Sequence, residues 1–191
     1  MAQVYKPGND SSLINTFENL NNASVVSFNI TSQKSFFKGK WASTNTLGAF
    51  YSKYDALSFG NPVSSIVTGY INTSNTFTLP KKIKAEIQAY ISTPIAAGIY
   101  KIDGQFQMNI GLSKPIMNGK ATLACNVKDV FNTFEYSINT LYTGGTINTY
   151  NKAESRFATL VFTYKFGNSK VKASKTRPTG LDDEKGRMSN N

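Results

Sequence analysis

From Ser155 to Phe166 the chain sets Leu160, Phe162, Tyr164 and Phe166 on alternate positions, with Thr159, Val161, Thr163 and Lys165 between them, then meets Gly167 and a charged tail. Successive side chains of a strand point to opposite faces, so one face here is greasy and aromatic while the other is mostly small or polar. The same period of two recurs upstream. Val26, Phe28 and Ile30 mark a first segment, and Trp41 through Leu47, Ala49 and Tyr51 to Tyr54 a second. Val67, Ile71, Phe77 and Leu79 mark a third, and Ile83, Ala85, Ile87, Ala89 and Ile91 a fourth that faces Lys84, Glu86, Gln88 and Tyr90. The fifth alternates Phe106, Met108, Ile110 and Leu112 with Gln105, Gln107, Asn109, Gly111 and Ser113. The sixth sets Leu123, Cys125 and Val127 against Thr122, Ala124, Asn126 and Lys128.

Period two shows that one face is apolar without showing whether it meets lipid or a protein core. The opposite face discriminates. Soluble antiparallel sheets usually solvate it with Lys and Glu, whereas here it is mainly Gln, Asn, Ser, Thr and Gly, residues that suit a water-filled or plugged lumen. Charged residues are 17% of the chain, against roughly 25% in soluble domains. No stretch approaches the ~18 apolar residues of a transmembrane helix. Residues 1–20 hold no hydrophobic signal core, which favours a piece of a longer chain.

The connections alternate in kind. Those around Lys38, Gly39 and Lys40, around Pro80, Lys81 and Lys82, and from Lys114 to Lys120 are short and basic; those through Asp55 to Val63, Thr93 to Ile99 and Asn132 to Lys152 are longer. Outer-membrane barrels have short periplasmic turns and longer external loops. That parity puts Phe166 on the short-turn side, making the tail periplasmic. The expected fold is all-β, an antiparallel up-and-down transmembrane β-barrel or partial barrel of about seven to eight strands, with a disordered basic C-terminal tail. The expected divisions are a polar segment at 1–20, strands at 21–167 and the tail at 168–191. Seven is awkward for closure, and Ser12 to Phe17 is a candidate stub of another strand. If it is only a stub, two open edges would lie in hydrocarbon, which lipid does not tolerate, and a longer parent chain must supply the missing strands.

In the order and spacing of five runs, the sequence resembles the C-terminal part of a TonB-dependent-receptor-like outer-membrane β-barrel family. These are Phe17-Glu18-Asn19-Leu20, Asn75 to Pro80, Gly104 to Lys114, Asn126 to Thr133, and Glu154 to Gly167. It departs at Val25 and Val26, where such barrels often carry Gly. The resemblance implies a barrel of about 22 strands with a plugged lumen, importing a scarce nutrient with energy relayed by TonB. The plug domain and the TonB-contacting segment would lie outside this chain.

Each conspicuous feature has a functional and a structural reading. Phe162, Tyr164 and Phe166 are candidates for the signal read by the barrel-assembly machinery, or else an ordinary edge strand. Phe36, Phe37, Trp41, Tyr54, Tyr90, Tyr100, Phe131 and Phe134 are candidates for interfacial girdles, or else core. Glu86, Gln88, Gln105, Gln107 and Asn109 are the lumen-facing candidates. Net charge is +10, yet the basic tail lacks the aromatics that nucleic-acid binding would need. The tail reads as a solvated extension, and the partner of the chain as a whole would be outer-membrane lipid rather than nucleic acid.

Histidine, the commonest metal ligand and general base, is absent, and Asp103, Asp129 and Glu86 stand singly. No enzyme activity, metal or cofactor is expected. Cys125 reads as a small hydrophobe. The glycosylation patterns at Asn22, Asn29 and Asn72 are chance matches in a chain so rich in Asn, Ser and Thr. Gly144 and Gly145 read as a turn. Two alternatives stay open: a self-contained eight-stranded outer-membrane barrel, adhesin or envelope scaffold, using Ser12 to Phe17 as a full strand; and a soluble lipocalin-like binder with its apolar face turned inward.

Overall fold

A computed structural model describes residues 2–10, 12–19, 22–55, 64–142 and 145–166. The expected tail at 168–191, most of the Asp55 to Val63 connection and Gly144 lie outside them. The described chain forms β1 (Ala2–Pro7), β2 (Leu13–Glu18), β3 (Asn22–Phe36), β4 (Trp41–Asp55), β5 (Ser64–Thr78), β6 (Lys84–Ser92), β7 (Ile95–Ala97) and β8 (Tyr100–Ile102). There follow β9 (Gln105–Ile116), β10 (Ala121–Lys128), β11 (Tyr136–Tyr142), β12 (Gly145–Asn151) and β13 (Phe157–Tyr164).

The seven segments with period-two patterning become one antiparallel sheet in the order β13-β10-β9-β6-β5-β4-β3. Apart from small hairpins hung on its long connections, it is an up-and-down meander. Its register fixes the two faces, because residues directly opposite in an antiparallel pair share a face. Leu47 lies opposite Ile30 and Ile71, Ile91 opposite Ile71 and Phe106, and Leu123 opposite Phe162. These build one continuous apolar face, and Val26 joins it while Val25 takes the other. That face is bare: Leu160 is 72% exposed, Phe28 68% and Val67 65%. Soluble monomers rarely expose a contiguous apolar patch beyond a few hundred Å². The apolar face is therefore the outside of the sheet; among the described residues the buried hydrophobic ones are Ala96, Ile99 and Ala121.

Three tight turns close one end of the sheet. In the first, Phe37 and Lys38 have φ of 52° and 56° and Gly39 has 85°; the second has Lys81 and Lys82 at 58° and 60°; the third has Met117 and Asn118 at 51° and 54°. Paired left-handed residues match the right-handed twist of the flanking strands. The long connections all leave the opposite end. Two of them hold short strands, and β12-β11-β8-β7 make a second, four-stranded sheet. Gly145 pairs with Tyr142 at the tip of the β11-β12 hairpin.

The candidate extra strand at Ser12 to Phe17 corresponds to β2, which pairs with β1 in a separate hairpin. It adds no strand to the seven-stranded sheet. Tethered to β1 from Ala2 to Pro7, it spends its hydrogen bonds locally. Among the described residues β3 and β13 are the edges of an unclosed sheet.

Candidate functional site

All five polar candidates lie on one face, the one opposite the apolar surface. Gln88 is directly opposite Asn109, and Tyr90 opposite Gln107; Ser92 meets Gln105, and Glu86 meets Gly111. Glu86, Gln88 and Asn109 line a shallow cavity of about 280 Å³ with Asn126, Lys128 and Phe157. These last three were not nominated from sequence, although Asn126 and Lys128 stand on the polar side of an alternating strand. Gly111 makes the space: a Cβ there would lie 2.7 Å from Asn126 Oδ1. Lys128 Nζ sits 5.7 Å from the centre of the Phe157 ring. Higher on the face, Gln107 Nε2 is buried with no hydrogen-bond partner among the described residues.

The long-loop end of this face is roofed by the chain itself. Thr68 and Ser52, both fully buried, project from β5 and β4 under the loop that carries β7. Thr68 Oγ1 donates to the Pro94 carbonyl at 2.8 Å and Ser52 Oγ to that of Ala96 at 3.4 Å. Next to this roof, Thr93 and Gly69 exchange hydrogen bonds through Thr93 N–H to the Gly69 carbonyl and Gly69 N–H to Thr93 Oγ1. Loop material folded onto the polar face makes it the inner face.

Asn109 has a second task that its sequence position did not reveal. Its Oδ1 accepts the Asp129 N–H at 3.0 Å, fixing the chain where it leaves β10. Asp129, with φ of 47°, is fully buried. Its carboxylate accepts the N–H groups of Thr133 and Phe134 at 3.0 and 3.1 Å and the hydroxyl of Ser155. Burial pushes this carboxyl upward, and the hydrogen bonds from Ser155, Thr133 and Phe134 outweigh it, leaving the group below the usual carboxylate value. Beyond it, Lys152 Nζ and Tyr150 Oη both donate to Glu135 Oε2 at 3.0 Å. Lys152 foremost, with Tyr150, lowers the Glu135 carboxyl. Asp129 and Glu135 are thus held within local hydrogen-bond networks, and no group of metal-ligating side chains assembles among the described residues.

Phe162 and Tyr164 take the apolar face, opposite Leu123 and Ala121, and Phe166, 90% exposed just past the strand, meets Tyr164 edge to face at 4.7 Å. The aromatic candidates divide. Phe36, Phe37 and Trp41 gather with Phe77 at the short-turn end, with centroids 4.6 to 6.3 Å apart. Phe131 stacks on Phe106 towards the other end. Tyr54 and Tyr90 fall on the polar face by register, and Tyr100 and Phe134 lie in the long connections, so these four are not part of an outer girdle. Trp41 Nε1 donates to Asn75 Oδ1 at 2.9 Å, and the chain of bonds continues through Thr73 and Asn45 to Ser43.

An apolar exterior, a polar interior roofed by loops, and turns segregated by length match what the family comparison finds. The outer membrane protein beta-barrel family matches residues 1–164. The chain belongs to this family. Membership puts it in the outer membrane, where its exposed apolar face has lipid to meet. No curated protein and no solved structure gives a significant match.

Proposed function

We propose that this outer-membrane barrel chain forms the C-terminal wall of a larger receptor of the TonB-dependent kind, a nutrient transporter whose plug and TonB-contacting parts lie elsewhere. The observation that carries the reading is the pair of open edges. Seven strands in up-and-down order leave β3 and β13 running the same way, so they cannot close on one another with the antiparallel pairing of bacterial single-chain barrels, which have even counts. Unpaired backbone groups in hydrocarbon cost several kcal/mol each. Further strands must meet both edges, and the hairpin of β1 and β2 argues against the self-contained eight-stranded alternative by leaving β2 out of the sheet. The apolar exterior argues against the lipocalin-like one.

In this reading Glu86, Gln88, Gln105, Gln107 and Asn109 face the lumen, Phe162, Tyr164 and Phe166 are read by the assembly machinery, and the residues after Phe166 enter the periplasm. The sheet seals the pore against lipid, and the longer connections contribute to ligand capture. Its tests are the reading frame upstream of Met1 and the size of the mature protein detected in outer membranes by an antibody against this segment. A frame running on into a plug-like domain, with a mature protein several times larger than this chain, is the expected result. A stop codon or signal peptide directly upstream, with a mature protein of this chain's size, would sink it.

A further inference from the structure

We infer that the short-turn rim of the sheet is a docking surface for anionic phospholipid headgroups of the leaflet it faces. The rim's charge is one-sided. The first turn carries Lys38 and Lys40, the second Lys81 and Lys82, and the third Lys120. Lys34 and Lys114 add charge from the apolar face itself, since they lie opposite Ser43 and Leu123. Among the described residues none of these lysines forms an ion pair. Among the described residues after the β1-β2 hairpin, the carboxylate nearest this end is Glu86, on the polar face; Asp55, Asp103, Asp129, Glu135 and Glu154 all belong to the opposite end.

Backbone geometry gives an independent reason to treat the charge as functional. Lys38, Lys81 and Lys82 occupy left-handed positions, where Asn and Gly are favoured. Lysine there adds nothing to the turn, so its value lies in what the ammonium groups meet. The first turn runs straight into the aromatic cluster of Phe36, Phe37, Trp41 and Phe77, with Lys38 and Lys40 adjoining Phe37 and Trp41 in the chain, and the second turn follows Phe77 by three residues. Aromatic rings settle at the membrane interface, and lysine stems reach from apolar surface to charged headgroups. A row of uncompensated cations at that level complements phosphodiester anions. The inference holds whether the chain closes alone or within a longer barrel.

Trp41, the one tryptophan of the chain, reports directly on this rim. The chain is placed in phosphatidylcholine vesicles carrying equal fractions of bromine-labelled phosphatidylglycerol or bromine-labelled phosphatidylcholine, and quenching of Trp41 is compared. The expected result is a several-fold enrichment of the anionic lipid, each lysine near an anionic surface contributing about a five-fold preference. It should fade in about 1 M salt, where the screening length is about 3 Å. Combined Lys38→Gln, Lys40→Gln, Lys81→Gln and Lys82→Gln should bring the ratio near parity. Lys53→Gln with Lys101→Gln, at the far end, should leave it unchanged.

Equal quenching by the two lipids in the unaltered chain would overturn the inference, as would an equal loss in the far-end variant. If inorganic phosphate removed the preference where chloride of matched ionic strength did not, a discrete anion pocket would replace the lipid surface and the inference would fall. Should the fourfold variant not fold, the salt dependence of the unaltered chain decides. Failure to associate with either vesicle would overturn the inference for the isolated chain and would show that it needs the strands at its edges to insert, whereas association without preference removes the rim alone.

Discussion

Asp129 is a buried carboxylate that holds three strands in place. It caps the turn at Thr133 and Phe134, receives Ser155 from the approach to β13, and through its own N–H is tied to Asn109 on β9. Asp129→Ala leaves those donors without an acceptor and should cost about 2 kcal/mol or more, hydrogen bonds to charged groups being the stronger kind. Asp129→Asn keeps one oxygen and should fall between. Because the folded carboxyl titrates below its ordinary value, its stabilisation is complete above the unfolded value of about 3.9 and is lost as pH falls through the lower folded value. Urea unfolding from vesicles across that range should show the acid decline in the unaltered chain and a weaker one in the Asn variant. Gly48 poses the converse problem of space. The Tyr70 ring lies where its Cβ would be, so Gly48→Ala displaces an aromatic of the polar face, and about 1 kcal/mol or more of destabilisation in the same assay is expected.

At the scale of elements, the seven long strands were legible because each carries an apolar face of period two, and the alternation of short and long connections gave the direction of each. The loop strands were not legible. β7 and β8 have three residues each, too few for any period, and they exist because Ile102 can pair with both Ile95 and Ile138. β11 and β12 carried a turn signal at Gly144 and Gly145 but no clean division of faces. The polar face could be read as a set, since alternation assigns whole strands at once. Its roof could not, because Thr68 and Ser52 look like any other residues of the polar face until the loop with Pro94 and Ala96 is seen above them. Thr68→Val removes the hydrogen bond to Pro94 while preserving shape. The loop should then open more often, and limited trypsin digestion of folded protein in vesicles should cut after Lys101 several times faster. An unchanged rate would mean that the roof is held by β8 and β11 rather than by the strand beneath.

Over the whole molecule the governing fact is an imbalance between what the sheet pairs and what it leaves unpaired. β4, β5, β6, β9 and β10 have a neighbour on each side, whereas β3 and β13 have one, and β13 is exposed on both faces throughout. A soluble protein blunts such edges with bulges, prolines or charges; neither edge strand contains a proline, and β13 contains no charge. Apolar groups on the flanks of an edge strand call for further strands of the same kind, so that lipid meets side chains and never bare backbone. Amide hydrogen exchange tests this without any assumption about ligand. In the chain alone, inserted in vesicles, the paired amides of β4 to β6, β9 and β10 should exchange slowly, while the unpaired amides of β3 and β13 exchange fast. In native outer membranes the same edge amides should be as protected as the interior ones, because neighbouring strands have taken up their hydrogen bonds. Fast edge exchange in the native membrane would mean that the edges stay open there and that the larger-barrel reading is wrong; slow exchange in both settings would mean that the chain finds its own closure.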